Sequence, residues 1–66
     1  MNITLNDKTI TLDNETSLQQ LIEQELSTTQ NIAVAINNSL IKRAMWSSTI
    51  LQEGDNVVVI AAAYGG

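Results

Sequence analysis

Several chemically useful residues are missing from this 66-residue chain. It contains no cysteine and no histidine. It therefore has no disulfide framework, no zinc cluster of the Cys/His type and no thiol nucleophile. It also lacks the side chain that most often performs acid–base catalysis near neutral pH. These absences argue against an enzyme with a side-chain active site and against a bound metal or cofactor.

Long apolar runs and basic residues are also scarce. The longest apolar run, residues 57–64, is too short to cross a bilayer as a helix, and no positively charged start is followed by a long apolar run. We therefore expect neither a signal peptide nor a membrane association, and the lack of cysteine fits a reducing cytoplasm. Three basic residues against seven acidic ones give a net charge of −4. That charge disfavours nucleic acid and suits a partner with a basic face.

Alternating apolar and polar residues predict most of the strands. Residues 2–12 alternate with a period of two and break at Asn6-Asp7-Lys8, which predicts a β-hairpin. In residues 32–36, isoleucine or valine alternates with alanine, which predicts a strand with one bulky and one small face. A turn at Asn37-Asn38 and a short strand at Leu40 and Ile41 are expected to follow.

One amphipathic helix is predicted in the first half of the chain. Its apolar face consists of Leu18, Leu21, Ile22 and Leu26. Thr16 is predicted as the N-cap, because Gln19 three residues later completes a capping box.

The last third of the chain contains the most apolar strand. Residues 42–49 show no clear period and are predicted to form turns, with Met45 and Trp46 covering the core. After a turn at Gly54-Asp55, Val57–Ile60 is apolar at every position. This predicts a strand with neighbours on both sides and cover on both faces.

The predicted element order is β-β-α-β-β-(irregular)-β, an α+β class. A single short helix cannot bury its apolar face alone and needs a sheet to pack on. The order favours a β-grasp: a mixed sheet of about five strands on one main helix, with the last strand central and parallel to the first. The order alone also permits a split β-α-β sandwich.

The C-terminus is the strongest candidate for a functional site. The carboxylates are scattered over turns and the helix, and no base stands beside a serine or threonine. Tyr64, Gly65 and Gly66, by contrast, predict a flexible tail whose bare backbone can thread a narrow cleft in a partner. The Gly66 carboxylate is a poor electrophile, so a partner must activate it, for example as an acyl-adenylate made from ATP. An attacking sulfur would then give a thiocarboxylate, and an attacking amine an amide.

Several short segments, spread over the whole chain, resemble the ThiS family of sulfur carriers in thiamine biosynthesis, which are ubiquitin-like β-grasp proteins. The segments are Ile3-Thr4-Leu5-Asn6, the helix led by Thr16, Ala35-Ile36-Asn37-Asn38, Arg43 with Trp46, Leu51-Gln52-Glu53-Gly54-Asp55 and Gly65-Gly66. The resemblance implies one domain, residues 1–66, that carries sulfur and is not itself an enzyme.

The resemblance also implies the partners. A ThiF-like adenylyltransferase would use ATP to adenylate Gly66, and a cysteine-derived persulfide would supply the sulfur. A ThiG-like thiazole synthase would then take sulfur from the Gly66 thiocarboxylate.

The resemblance implies a docking surface for the activating enzyme as well. This surface would include Val58, Ile60 and Ala62, while Val57 and Val59 would face the helix. Ala62-Ala63-Tyr64, which follows the last predicted strand, lacks the larger apolar side chains that such a tail can carry. This difference concerns the affinity for the partner.

Other functions remain open at this point. The chain could carry sulfur to molybdopterin or to a tRNA base, or act as a ubiquitin-like modifier joined to lysines of other proteins. It could also be a plain interaction module with an inert tail.

Overall fold

The secondary structure follows the predicted order. A computed structural model of the protein describes residues 1–61. Its elements are β1 (Asn2–Leu5), β2 (Lys8–Thr11), α1 (Leu18–Glu25), β3 (Ile32–Ile36), β4 (Ser39–Ile41), a 3₁₀-helix (Arg43–Ser48) and β5 (Asn56–Ala61). The segment without a clear period is therefore a 3₁₀-helix and not a series of turns.

The strands form one mixed sheet in the order β2-β1-β5-β3-β4. β1 and β5 are parallel, and the other neighbouring pairs are antiparallel. The predicted β-grasp, with the first and last strands adjacent at the centre of the sheet, is confirmed.

Two asparagine-led turns close the hairpins. Leu5 pairs with Lys8 and Ile36 pairs with Ser39, so each hairpin has a two-residue loop. All four loop residues, at positions 6, 7, 37 and 38, have positive φ, between 49° and 70°. This is the type I′ turn, which matches the twist of the flanking strands, and Asn and Asp accept its backbone more readily than most residues. Lys8 is thus the first residue of β2 rather than part of the turn.

The helix begins one residue later than the sequence suggests, so the predicted cap was wrong. Ser17, not Thr16, is the N-cap: its hydroxyl accepts from the Gln20 backbone N–H at 3.1 Å. The Gln20 side chain in turn accepts from the Ser17 N–H at 2.9 Å, which completes the capping box. Both Thr16 and Ser17 have a glutamine three residues on, so local sequence could not choose between them. The Thr16 hydroxyl instead donates to the Asp13 carbonyl at 2.7 Å.

The core lies between α1 and one face of the sheet. Its buried apolar residues are Ile3, Leu5, Leu12, Leu18, Leu21, Ile22, Val34, Trp46, Leu51 and Val57. Leu26 is the C-cap of α1 and packs, half-buried, against this core. Backbone hydrogen bonds from Leu18 to Thr49 and from Leu51 to Thr16 hold the start of the helix in place.

Trp46 closes the core, whereas Met45 does not. Trp46 is 1% exposed, and its indole N–H donates to the Ile41 carbonyl at 3.1 Å. The Arg43 guanidinium lies 4.4 Å from the Trp46 ring centroid and covers its outer side. Met45 is 52% exposed, contrary to prediction. Consecutive side chains on a 3₁₀-helix lie about 120° apart, so only one of the two can face the core.

Truncating a core side chain should destabilise the domain severely. Leu21→Ala is expected to cost about 2–5 kcal/mol, because it leaves a cavity under the sheet. A domain of this length has only about 3–10 kcal/mol in total. Leu40→Ala is the control, because Leu40 is 71% exposed. Thermal melts check this: equal melting temperatures for the two variants would contradict the core assignment.

The position of the helix cap is testable with a neighbouring pair of substitutions. Ser17→Ala should cost about 1 kcal/mol, because the Gln20 N–H loses its acceptor. Thr16→Ala should cost clearly less, since it leaves the capping box intact. Urea denaturation of both variants gives the comparison, and a larger loss for Thr16→Ala would restore Thr16 as the cap.

Candidate functional site

The predicted site residues fall into two groups. Val58 and Ile60 lie on β5 within the described part of the chain. Ala62, Tyr64, Gly65 and Gly66 lie outside the described residues, and so does the predicted flexible tail. The structure therefore describes the strand that leads to the C-terminus.

The side chains of β5 alternate between the two faces of the sheet. Val57 is fully buried and Val59 packs against the core on the helix side. Ile60 is 60% exposed and Val58 is half-buried on the opposite face. The prediction that this strand is covered on both faces was wrong. The eight-residue helix α1 covers only one side of the sheet. Every second apolar residue of β5 therefore faces the side that the helix does not cover.

This uncovered side of the sheet, here called the open face, has an apolar half. Cross-strand partners share a face, which adds residues of β3 and β4 to those of β5. Ala33 pairs with Ile60, and Ala35 pairs with both Val58 and Leu40. Ile60 and Leu40 are the prominent side chains, at 60% and 71% exposed. The two alanines on β3 lie between them and add little side-chain bulk to the surface.

The other half of the open face is polar and internally hydrogen-bonded. It comprises Asn2, Thr4, Thr9, Thr11 and Asn56 on strands β1, β2 and β5. Thr11 donates to the Asn2 side chain, and Thr4 donates to the Asn56 side chain, each at 2.9 Å. Four of these five side chains thus hydrogen-bond in pairs, whereas the apolar half exposes hydrocarbon to water. Contiguous exposed hydrocarbon is typical of a contact surface.

Strand β5 is held by side-chain amides from both hairpin turns. Asn37 accepts from the Asn56 N–H at 3.0 Å, where β5 begins. Asn6 accepts from the Val59 N–H at 2.8 Å and donates to the Val59 carbonyl at 3.3 Å. The sequence predicts both asparagines as turn residues but does not predict their contacts with β5.

Among the acidic residues with described partners, Glu23 and Glu25 accept from glutamine side chains on α1, and the other two serve the last turn. Glu53 accepts from the Asn2 N–H at 3.0 Å, and Asp55 accepts from the Gln52 N–H at 2.9 Å and from the Asn37 amide at 3.1 Å. Over residues 1–61 no three acidic side chains come close enough together to hold a metal ion, and no enclosed pocket is found. The described part of the chain thus offers a surface and a strand end, rather than a cleft.

The family match extends to the last residue. A family model described as the ThiS family matches residues 2–66. The chain belongs to the ThiS family. The match takes in Gly65 and Gly66 as well as the whole sheet, so the resemblance noted in the sequence is confirmed.

Individual ThiS relatives match along the full chain. The sulfur carrier protein ThiS of Escherichia coli (strain K12) is 29% identical over 66 residues, covering all of both chains. The crystal structure of thiamine biosynthesis protein ThiS from Geobacter metallireducens superposes with a TM-score of 0.86 at 25% identity, again over all of both chains. A solution structure of a thiamine biosynthesis protein from the same organism gives 0.74 at 25% identity, over 100% of this chain and 88% of the other.

The strand register enlarges the predicted surface. Leu40, Ala33 and Ala35 were not among the predicted contact residues, because only pairing across β3 shows that they lie beside Val58 and Ile60. Their alternation with core residues was visible in the sequence, but the neighbour of each strand was not. No helix described in residues 1–61 is long and apolar enough to span a membrane.

Proposed function

We infer that this protein is a sulfur carrier of thiamine biosynthesis and propose that its working group is the carboxylate of Gly66. The observation that carries this proposal is the ThiS family match, which runs from residue 2 through Gly66. The curated relative that matches over its whole length is named a sulfur carrier protein. The geometry adds support, because the central strand β5 leads directly towards the C-terminus.

The proposed chemistry takes place on the terminal carbon. A ThiF-like adenylyltransferase joins the Gly66 carboxylate to the α-phosphate of ATP and releases pyrophosphate. The terminal sulfur of a cysteine-derived persulfide attacks the activated carbonyl, and AMP leaves. A thiol then cleaves the sulfur–sulfur bond, which leaves a thiocarboxylate on Gly66. A ThiG-like thiazole synthase takes this sulfur for the thiazole ring.

In this scheme the protein is a substrate and not a catalyst. No side chain of the carrier needs to move a proton or bind ATP, because the partner enzymes supply both functions. The two terminal glycines leave room for the backbone in a narrow channel. Since the first step consumes ATP, we propose that the protein works in the cytoplasm.

The apolar half of the open face is the proposed docking surface for the adenylyltransferase. It lies on β5, on the neighbouring strand β3 and on β4 beyond it, so an enzyme seated there is close to the end of β5. Val58 and Ile60 are the residues predicted from the sequence, and Leu40 extends the surface. Ala62 stays a prediction, as it lies beyond the described residues.

The chemical proposal predicts a mass change confined to the C-terminal peptide. With the cognate adenylyltransferase, ATP and a persulfide donor, intact-mass analysis should show one oxygen replaced by sulfur. Deleting Gly66 should abolish the change without lowering the melting temperature, since the core formed by the described residues runs from Ile3 to Val57 in the sequence. Gly65→Val should block it, because a β-branched side chain obstructs the channel, whereas Gly65→Ala should retain part of it.

Two outcomes would contradict the proposal. One is sulfur that maps to any position other than the terminus. The other is thiazole formation supported by the variant that lacks Gly66. Higher-mass conjugates of the carrier with other proteins would instead indicate a ubiquitin-like modifier.

The docking surface can be tested by adding one charge to either half of the open face. Ile60→Asp should weaken binding to the adenylyltransferase by roughly tenfold or more, the effect of losing about 1.4 kcal/mol of contact energy. Thr9→Asp is the matched control, as it adds the same charge to the polar half. Titration calorimetry measures both affinities, and circular dichroism checks the fold. Equal affinities for the two folded variants would remove the apolar half as the docking surface.

A further inference from the structure

The side chain of Asn6 continues the hydrogen-bond ladder between β1 and β5 after β1 has ended. The Thr4 N–H donates to the Asp55 carbonyl and the Asn6 N–H donates to the Val57 carbonyl, each at 2.9 Å. The next hydrogen bonds to β5 come from the side chain of Asn6. The Asn6 carboxamide accepts from the Val59 N–H at 2.8 Å and donates to its carbonyl at 3.3 Å.

This substitution of side chain for backbone follows from the turn. At Asn6 the chain has φ 49° and turns away into the hairpin loop, so β1 offers no further backbone to β5. A carboxamide carries the same donor and acceptor as a peptide group. Asn6 can therefore satisfy both polar groups of Val59 on the side that β1 has left. As a result, β5 has hydrogen-bond partners on both of its edges as far as Val59, although the backbone of β1 ends earlier.

Asn37 provides an internal comparison at the opposite end of β5. It occupies the same first position of a type I′ turn, with φ 51°. Its carboxamide accepts from the Asn56 N–H at 3.0 Å and donates to the Asp55 carboxylate at 3.1 Å. One asparagine thus holds the strand where it enters the sheet, and the other holds it on the way to the C-terminus.

We propose that Asn6 is a positioning residue for the carrier reaction: it holds the outgoing end of β5 so that the following chain delivers Gly66 from a defined point. This inference rests on the proposed function. Beyond Val59, Ile60 and Ala61 pair only with β3, at Ala33 and Ile32, within the described residues. Without the Asn6 carboxamide, β3 would be the only element that holds the described part of β5 from Val59 onwards.

Loss of this contact should act on the rate rather than on docking. The apolar half of the open face is untouched by a change at Asn6, so the KM for the carrier should change little. If the end of β5 is held less firmly, a smaller fraction of bound carriers has its carboxylate at the attacked phosphate. Small misplacements of a reacting group can cost up to about a hundredfold in rate. The expected signature is therefore a lower kcat for adenylation at nearly constant KM.

The test uses the full chain with its cognate adenylyltransferase and ATP. Asn6→Gly removes the carboxamide and keeps a residue that accepts positive φ without strain. It should lower kcat for ATP–pyrophosphate exchange by about ten- to a hundredfold. The matched control, Asn37→Gly, loses the equivalent amide at the entry end and should retain the wild-type kcat per folded molecule. Asn6→Asp keeps the turn but replaces the donor to the Val59 carbonyl by an oxygen. Its kcat should therefore fall as in Asn6→Gly.

Hydrogen exchange supplies a readout that is independent of the enzyme. The Val59 amide should exchange faster in Asn6→Gly than in the wild type and stay protected in Asn37→Gly. Unchanged Val59 protection in Asn6→Gly, or a kcat that falls equally in Asn37→Gly, would overturn the proposal. An unchanged kcat in both Asn6 variants would do the same.

The failure of this inference is distinguishable from failure of the proposed function. If the wild-type protein acquires sulfur at Gly66 and the Asn6 variants behave like Asn37→Gly, only the positioning role is wrong. If the wild-type protein acquires no sulfur at Gly66, the carrier chemistry is wrong and the positioning role falls with it.

Discussion

The parallel pairing of β1 and β5 is the contact on which the rest of the fold depends. It joins residues near the two ends of the chain, with Thr4 beside Asn56 and Leu5 beside Val57. Once these strands are neighbours, the first hairpin must lie on one side of the sheet and β3–β4 on the other. The only α-helix described is then the element that covers the buried face. Because the pairing is non-local, its loop-closure entropy has to be offset by the core that it completes.

A short helix on a five-stranded sheet leaves one face open, and this asymmetry creates the surface that we propose for docking. Eight residues of α1 cover the side that carries Val34 and Val57. The uncovered side is divided between interlinked threonines and asparagines near β1 and β2 and hydrocarbon near β3, β4 and β5. The described residues contain no pocket, and in the docking proposed above the sheet itself would be the surface that the enzyme recognises.

The central strand combines the structural and the proposed chemical roles. Val57 anchors it in the core, the exposed Ile60 belongs to the proposed docking surface, and the chain continues from it towards Gly66. Amides from both hairpin turns hold this strand, through Asn37 at its start and Asn6 near its end. Two residues that serve as ordinary turn formers in the sequence therefore also determine how firmly the outgoing strand is held.

Local sequence determined the elements of this protein, and tertiary structure decided what each one faces. Alternation, helical spacing and asparagine turns were enough for the order of the elements along the chain and for the apolar face of α1, since these depend on neighbours along the chain. The choice between Thr16 and Ser17, and between Met45 and Trp46, depended on how each segment meets the core. The open side of β5 at Val58 and Ile60 was implied by the family resemblance but not by the apolar run, and the amide contact from Asn6 to Val59 was beyond the sequence. They arise from the length of a helix relative to its sheet and from the ending of β1 before β5, which only the assembled fold establishes.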